Sequence, residues 1–163
     1  MQISSRFTIA VHIFTCIDFF QREYAITSEF LAGSINVNPV TVRQILLQLK
    51  AAGLVKISRG RGGRDPSTGG ILAAHPLEEI TFFDIYKAVE CVEGGELFHF
   101  HDKPNPKCPV GRNIHKALDA RLKQVQQAME DELKTITVAD VAQATRCAID
   151  SEGTIIPGPK MNG

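Results

Sequence analysis

One segment of the chain has few ways to fold. Asn38-Pro39 is a helix start, because asparagine caps and proline is pre-organised for the first helical position. Gly53 is a natural left-handed stop about one four-turn helix later. Between them Val42, Ile45, Leu46 and Leu49 recur at helical spacing, so one face packs on a core. The opposite face carries Val40, Thr41, Gln44, Leu47 and Gln48, with Arg43 at its edge. Leu54–Ser58 then alternates as a short strand, and Ile71–Ala74 can return beside it. The connection, residues 59–70, is rich in glycine and holds Arg59, Arg61 and Arg64.

Upstream, Ser4–Phe20 reads as a helix whose apolar residues cover most of its circumference, so it must be buried on more than one side. Thr27 is an expected N-cap for a short helix through Ala32, with Gly33 as its stop. Helix, short helix, turn, capped helix and hairpin is the order of a winged helix-turn-helix. Downstream, Thr81-x-x-Asp84 opens a helix to about Glu90 with a capping-box pattern. Residues 91–108 are irregular. Pro109 opens a long helix to about Lys134 with apolar positions Ile114, Leu118, Leu122, Val125, Met129 and Leu133, followed by Ile136. That spacing repeats every eleven residues and gives a nearly straight seam. A helix of about 26 residues spans ~39 Å, too long for a chain of this size to cover, so a second copy is the economical partner. A final helix is expected from Thr137 through Cys147, with a loose tail beyond. The predicted class is therefore mainly α with a small β-hairpin. Its parts are a DNA-binding unit (1–75), a connecting helix and sensor-like loop (76–108), a dimerisation helix with a short final helix (109–147), and a tail (148–163).

Charge sharpens this. The 163 residues carry 18 basic and 18 acidic side chains, and the zero total excludes indiscriminate polybasic binding of nucleic acid. The zero is not uniform. Residues 1–75 hold 8 basic and 4 acidic side chains, leaving the remainder net negative. No acid occurs between Glu29 and Asp65, where six of the basic residues fall. That is the electrostatic footprint of a DNA reader. Gln44, Gln48 and Thr41 suit base edges, and Val40 or the Thr41 methyl suits a thymine methyl. The Asn38 end is expected to offer free backbone N–H groups to a phosphate, and Arg59, Arg61 and Arg64 to meet phosphates or a narrow minor groove. The alternative is a winged-helix protein-interaction module that does not read DNA.

Other classes find little support. No stretch reaches the ~18 apolar residues of a membrane span, and the Phe7–Phe20 run is broken by His12 and Asp18. A cytoplasmic location without membrane contact is the expectation. No nucleophile–base spacing or metal-hydrolase motif occurs. The Arg59–Gly63 run lacks the helix and Lys-Ser/Thr of a phosphate loop, so no enzyme is expected.

The motifs themselves resemble a known family. Ile3-Ser4-Ser5-Arg6-Phe7, Asn38-Pro39-Val40-x-Val42-Arg43, Leu49-x-x-Ala52-Gly53-Leu54-Val55 and Arg59-Gly60-x-Gly62-Gly63 look like the Rrf2 family of bacterial transcription regulators. So do Ile80-Thr81-x-x-Asp84-Ile85-Tyr86 and Cys108-Pro109-Val110-Gly111, and the likeness covers about residues 2–147. It implies a homodimeric winged-helix regulator, usually a repressor, whose long helix crosses its mate. Several family members bind an iron–sulfur cluster through three close cysteines. Only Cys91 and Cys108 lie in that region here, 17 residues apart, so no cluster and no other cofactor is expected. The likeness is closest to the cluster-less branch.

Three readings of residues 91–108 stay open. Cys108, before Pro109 at a helix start and beside Lys107, is a candidate oxidant-sensing thiol, with Cys91 or Cys147 as a disulfide partner. Cys91, His99, His101 and Cys108 suit zinc by type, although the spacing matches no standard site. Otherwise the thiols are structural, with Cys16 a core residue, and the effector is a small molecule or protein not evident from the sequence.

Overall fold

A computed structural model describes residues 5–58, 69–89, 97–98 and 103–153. Helix α1 (Arg6–Phe20) is the hub. Ile9, Ala10, Val11, Ile13, Phe14, Cys16 and Ile17 are buried around its circumference, and α2 (Ser28–Ile35), α3 (Pro39–Ala51), α4 (Phe82–Ala88) and α6 (Val138–Glu152) all pack on it. The all-round apolar pattern therefore reflects burial on several sides within one chain.

Helix α2 starts where expected. The Thr27 hydroxyl accepts from the Phe30 amide at 3.1 Å. It does not stop at Gly33, which lies inside the helix with open space where a Cβ would point. The stop is Asn36, in the left-handed region at φ 58° and ψ 49°. Asparagine tolerates that region because its short amide side chain can hydrogen-bond locally. Helix α3 begins on Asn38, whose Oδ1 accepts from the Val40 amide at 2.8 Å. It ends at Ala52 and Gly53, the latter at φ 75°.

Strands β1 (Val55–Ser58) and β2 (Gly70–Ala73) pair antiparallel, with Val55 opposite Ala73 and Ser58 opposite Gly70. The return strand starts one residue earlier than the pattern predicts. At its start, the Ile71 amide donates to the Ile26 carbonyl at 2.9 Å, docking the hairpin on the α1–α2 connection.

The two later helix starts are joined. Thr81 and Asp84 form a capping box at α4, and Thr137 and Asp140 form another at α6. Thr81 and Thr137 pair as an antiparallel bridge. Phe82 donates to the Ile136 carbonyl and Val138 to the Ile80 carbonyl, each at 2.9 Å. Helix α6 continues to Glu152, past the expected end at Cys147, and closes on Gly153 at φ 63°.

Helix α5 (Pro109–Thr135) is 27 residues long, about 40 Å. None of its residues is buried. Met129 and Leu133 touch the core from the side, as part of the lower half of the seam. Its first turn packs tightly on the preceding turn. A Cβ on Gly111 would lie 2.5 Å from the Asn105 carbonyl oxygen, closer than real contacts allow. Gly111→Ala is therefore expected to destabilise the chain by about 1–3 kcal/mol, read as a lower denaturation midpoint.

Candidate nucleic-acid interface

The outward face of α3 is built by its inward one. Val42, Ile45, Leu46 and Leu49 are buried, which fixes the rotation of the helix. Val40 and Leu47 are consequently 54% and 64% exposed, although apolar. Arg43 and Gln44 are exposed beside them, and Thr41 is half-buried. Gln48 turns inward at the far edge of the face. It is half-buried, and its Oε1 is buried with no hydrogen-bond partner among the described residues.

Asn38 acts differently from the expectation. Pro39 has no N–H, Val40 donates to the Asn38 side chain, and Thr41 donates to the Asn38 carbonyl at 3.0 Å. The amides expected to be free for a phosphate are thus already paired within the helix start. Asn38 is the cap of α3.

Arg43 is engaged as well. Its guanidinium pairs with the Glu29 carboxylate of α2, and its Nε donates to the Ser28 hydroxyl at 3.3 Å. Ser28 in turn donates to Glu29 at 3.0 Å. Both charged side chains are 54% exposed, so the pair adds at most about 1 kcal/mol of stability. Its main consequence is orientation, since it braces the two helices of the reading unit and aims one cation of the acid-free segment. Sequence reasoning missed Ser28 and Glu29 as partners. The available signal was that Glu29 is the last acid before a long acid-free span.

Arg59, Arg61 and Arg64 lie outside the described residues. The ends of their hairpin are placed by the Gly70 amide, which donates to the Ser58 hydroxyl at 3.1 Å. Lys50 and Lys56 are exposed nearby in sequence.

The helix-turn-helix, the paired hairpin and the long α5 can be set beside known proteins. The profile of the Rrf2 family, described as an iron-dependent transcriptional regulator, matches residues 3–144. The chain belongs to the Rrf2 family. YwnA of Bacillus subtilis (strain 168), described as an HTH-type transcriptional regulator, is 39% identical over 139 residues, covering 85% of this chain and 96% of that one. The crystal structure of a protein described as DNA-binding superposes with a TM-score of 0.61 at 32% identity, over 84% of this chain and 98% of its own. IscR of T. potens matches in fold, with a TM-score of 0.63 at 20% identity over 97% and 94% of the two chains. This Rrf2 chain is accordingly a DNA-binding transcriptional regulator and not an enzyme. No helix among its described residues is long and apolar enough to cross a membrane.

The three described thiols of this regulator lie on different helices or at their starts. Cys108 is the N-cap of α5, and the amides of Gly111 and Val110 hold its thiol below the ordinary value. Cys147 is exposed on α6. Cys16 is buried, as expected of a core residue, with its Sγ 3.2 Å from the Ser34 hydroxyl. Burial pushes that thiol up. Cys91, His99 and His101 lie outside the described residues. Among the described residues no three His, Cys, Asp or Glu side chains converge on a metal position.

The Arg43 hydrogen bond, with smaller help from the backbone and Ser28, holds the Glu29 carboxyl below its ordinary 4.5. A lowered acid pKa contributes stability above the ordinary value and loses it as pH falls through the lowered one. The Glu29 carboxyl carbon is expected to titrate below 4.5 by NMR and to return towards that value in Arg43→Gln.

Proposed function

We propose that this Rrf2 regulator is a homodimeric repressor that reads a two-fold operator. Val40, Thr41 and Gln44 of α3 face the major groove, Gln48 reaches the edge of the site, and Arg43, Arg59, Arg61 and Arg64 meet the backbone. Asn38 holds the entry of α3 in position. The observation that carries this reading is the exposed, part-apolar face of α3, lying inside a span of 35 residues without an acid. An apolar face next to arginines suits thymine methyls and phosphates.

Dimerisation runs through α5. Ile114, Leu118, Leu122, Val125, Met129 and Leu133 form its seam. Leu118 is 36% and Val125 51% exposed, and no seam residue is buried within the chain. A second α5 covers the seam and sets two half-sites about 34–36 Å apart. Leu118→Glu is expected to shift the protein to monomer in sedimentation and to weaken operator binding.

Cys108 is the proposed oxidant-responsive group, and Cys91 and Cys147 are its candidate disulfide partners. Its thiolate attacks a peroxide oxygen, forming an S–O bond and releasing hydroxide as the O–O bond breaks. The regulator works without a resident iron–sulfur cluster, a reading supported by the 17-residue separation of Cys91 and Cys108 in the sequence.

Selection of genomic DNA by the purified protein, reduced and peroxide-treated, tests the whole. One two-fold motif is expected from reduced protein. Arg59→Ala is expected to weaken binding to that motif and to lower its salt slope by about one, while Gln44→Ala relaxes the preference at one base pair. Cys108→Ser is expected to bind alike before and after peroxide. Recovery of random fragments by reduced protein would overturn the reading.

A further inference from the structure

A cavity of about 750 Å³ opens between α1, the segment that follows β2, and α6. It is separate from the reading face of α3 and from the α5 seam. Its size is that of a small-molecule site. Small side chains make the room, since Ala73 and Ala74 line one wall and Ala139 and Ala142 another.

The polar groups have a specific arrangement. Asp18 on α1 pairs with Arg146 on α6 across the cavity wall. The Asp18 side chain is only 18% exposed, whereas Arg146 is 50% exposed. The carboxylate is therefore the more desolvated partner and needs a cation beside it. The arginine sits where solvent can replace part of the contact. Gln143 lies one helical turn before Arg146 and also lines the cavity, as do His75 and Glu78.

A ligand with one charge would free one partner and strand the other. An amine alone would satisfy Asp18 and release Arg146, and a carboxylate alone would leave Asp18 without its cation. A zwitterion exchanges both partners at once. Its ammonium replaces Arg146 at Asp18, and its carboxylate takes the guanidinium, a planar donor fork suited to that shape. The alanine walls then accept the remaining side chain.

We propose that this cavity binds a free α-amino acid as effector, with Asp18 taking the ammonium, Arg146 the carboxylate and the Ala139–Ala142 wall the side chain. The place fits an effector. Ala74, next to the cavity, donates to the Leu54 carbonyl at 2.9 Å at the base of the hairpin. A ligand wedged between that base and α6 bears on the hairpin that carries Arg59, Arg61 and Arg64. Any change it makes in DNA affinity is matched by an equal change in its own affinity when DNA is bound.

Binding does not depend on the DNA reading, so the test uses the full chain without DNA. Thermal melting is followed with each standard L-α-amino acid at millimolar concentration. Analogues of the same side chain lacking either the amine or the carboxylate are run alongside. At least one amino acid is expected to raise the melting temperature by several degrees, and both of its analogues to fail. The shift is expected to vanish in Ala139→Leu, which fills the cavity and keeps the ion pair, and in Arg146→Gln if that variant folds. Three results overturn the proposal: no shift with any amino acid, an equal shift with an analogue lacking one group, or a shift that persists in Ala139→Leu.

Discussion

The rest of the molecule depends on the burial of α1 on several of its sides. Ile13, Phe14 and Ile17 have no exposed surface, and each such side chain contributes about 1.5–3 kcal/mol when taken from water. No single neighbour can cover a helix that is apolar on most sides. Helices α2 and α3 cover one part, α4 another and α6 a third. The reading unit and the C-terminal helix are therefore halves of one core, although more than a hundred residues separate Asp18 from its partner Arg146. Helix α6 packs on the same helix on which α2 and α3 rest.

A second linkage works through the backbone. The capped starts of α4 and α6 exchange hydrogen bonds around Thr81 and Thr137. Each cap satisfies its own helix, and the bridge then holds the two helix starts side by side. Helix α5 runs between them in sequence, so both of its neighbours are pinned while Leu118 and Val125 of its apolar seam stay exposed. Rigid ends around an open seam suit a part that a second copy completes.

Much of this was legible beforehand, for local reasons. Thr27, Asn38, Thr81 and Thr137 are capping residues that act within three or four positions, and all four cap as their patterns predict. Local signals failed where two of them competed. Gly33 looked like a stop, yet α2 continued through it because Phe30, Leu31 and Ala32 were already docked in the core, and Asn36 took the left-handed turn instead. Helix α6 likewise runs past Cys147, because nothing after it breaks a helix until Gly153.

The sequence by itself determined the winged helix-turn-helix, the capped start of α3 and the family, since these rest on short-range spacing and residue type. Only the tertiary structure decided which groups are already occupied. Arg43 is held by Ser28 and Glu29, and Gln48 tilts into the interior. It alone brought Asp18 to Arg146 across a cavity. Hydrogen bonds and ion pairs depend on positions in space to within about an ångström, and that precision arises only when distant segments pack on α1.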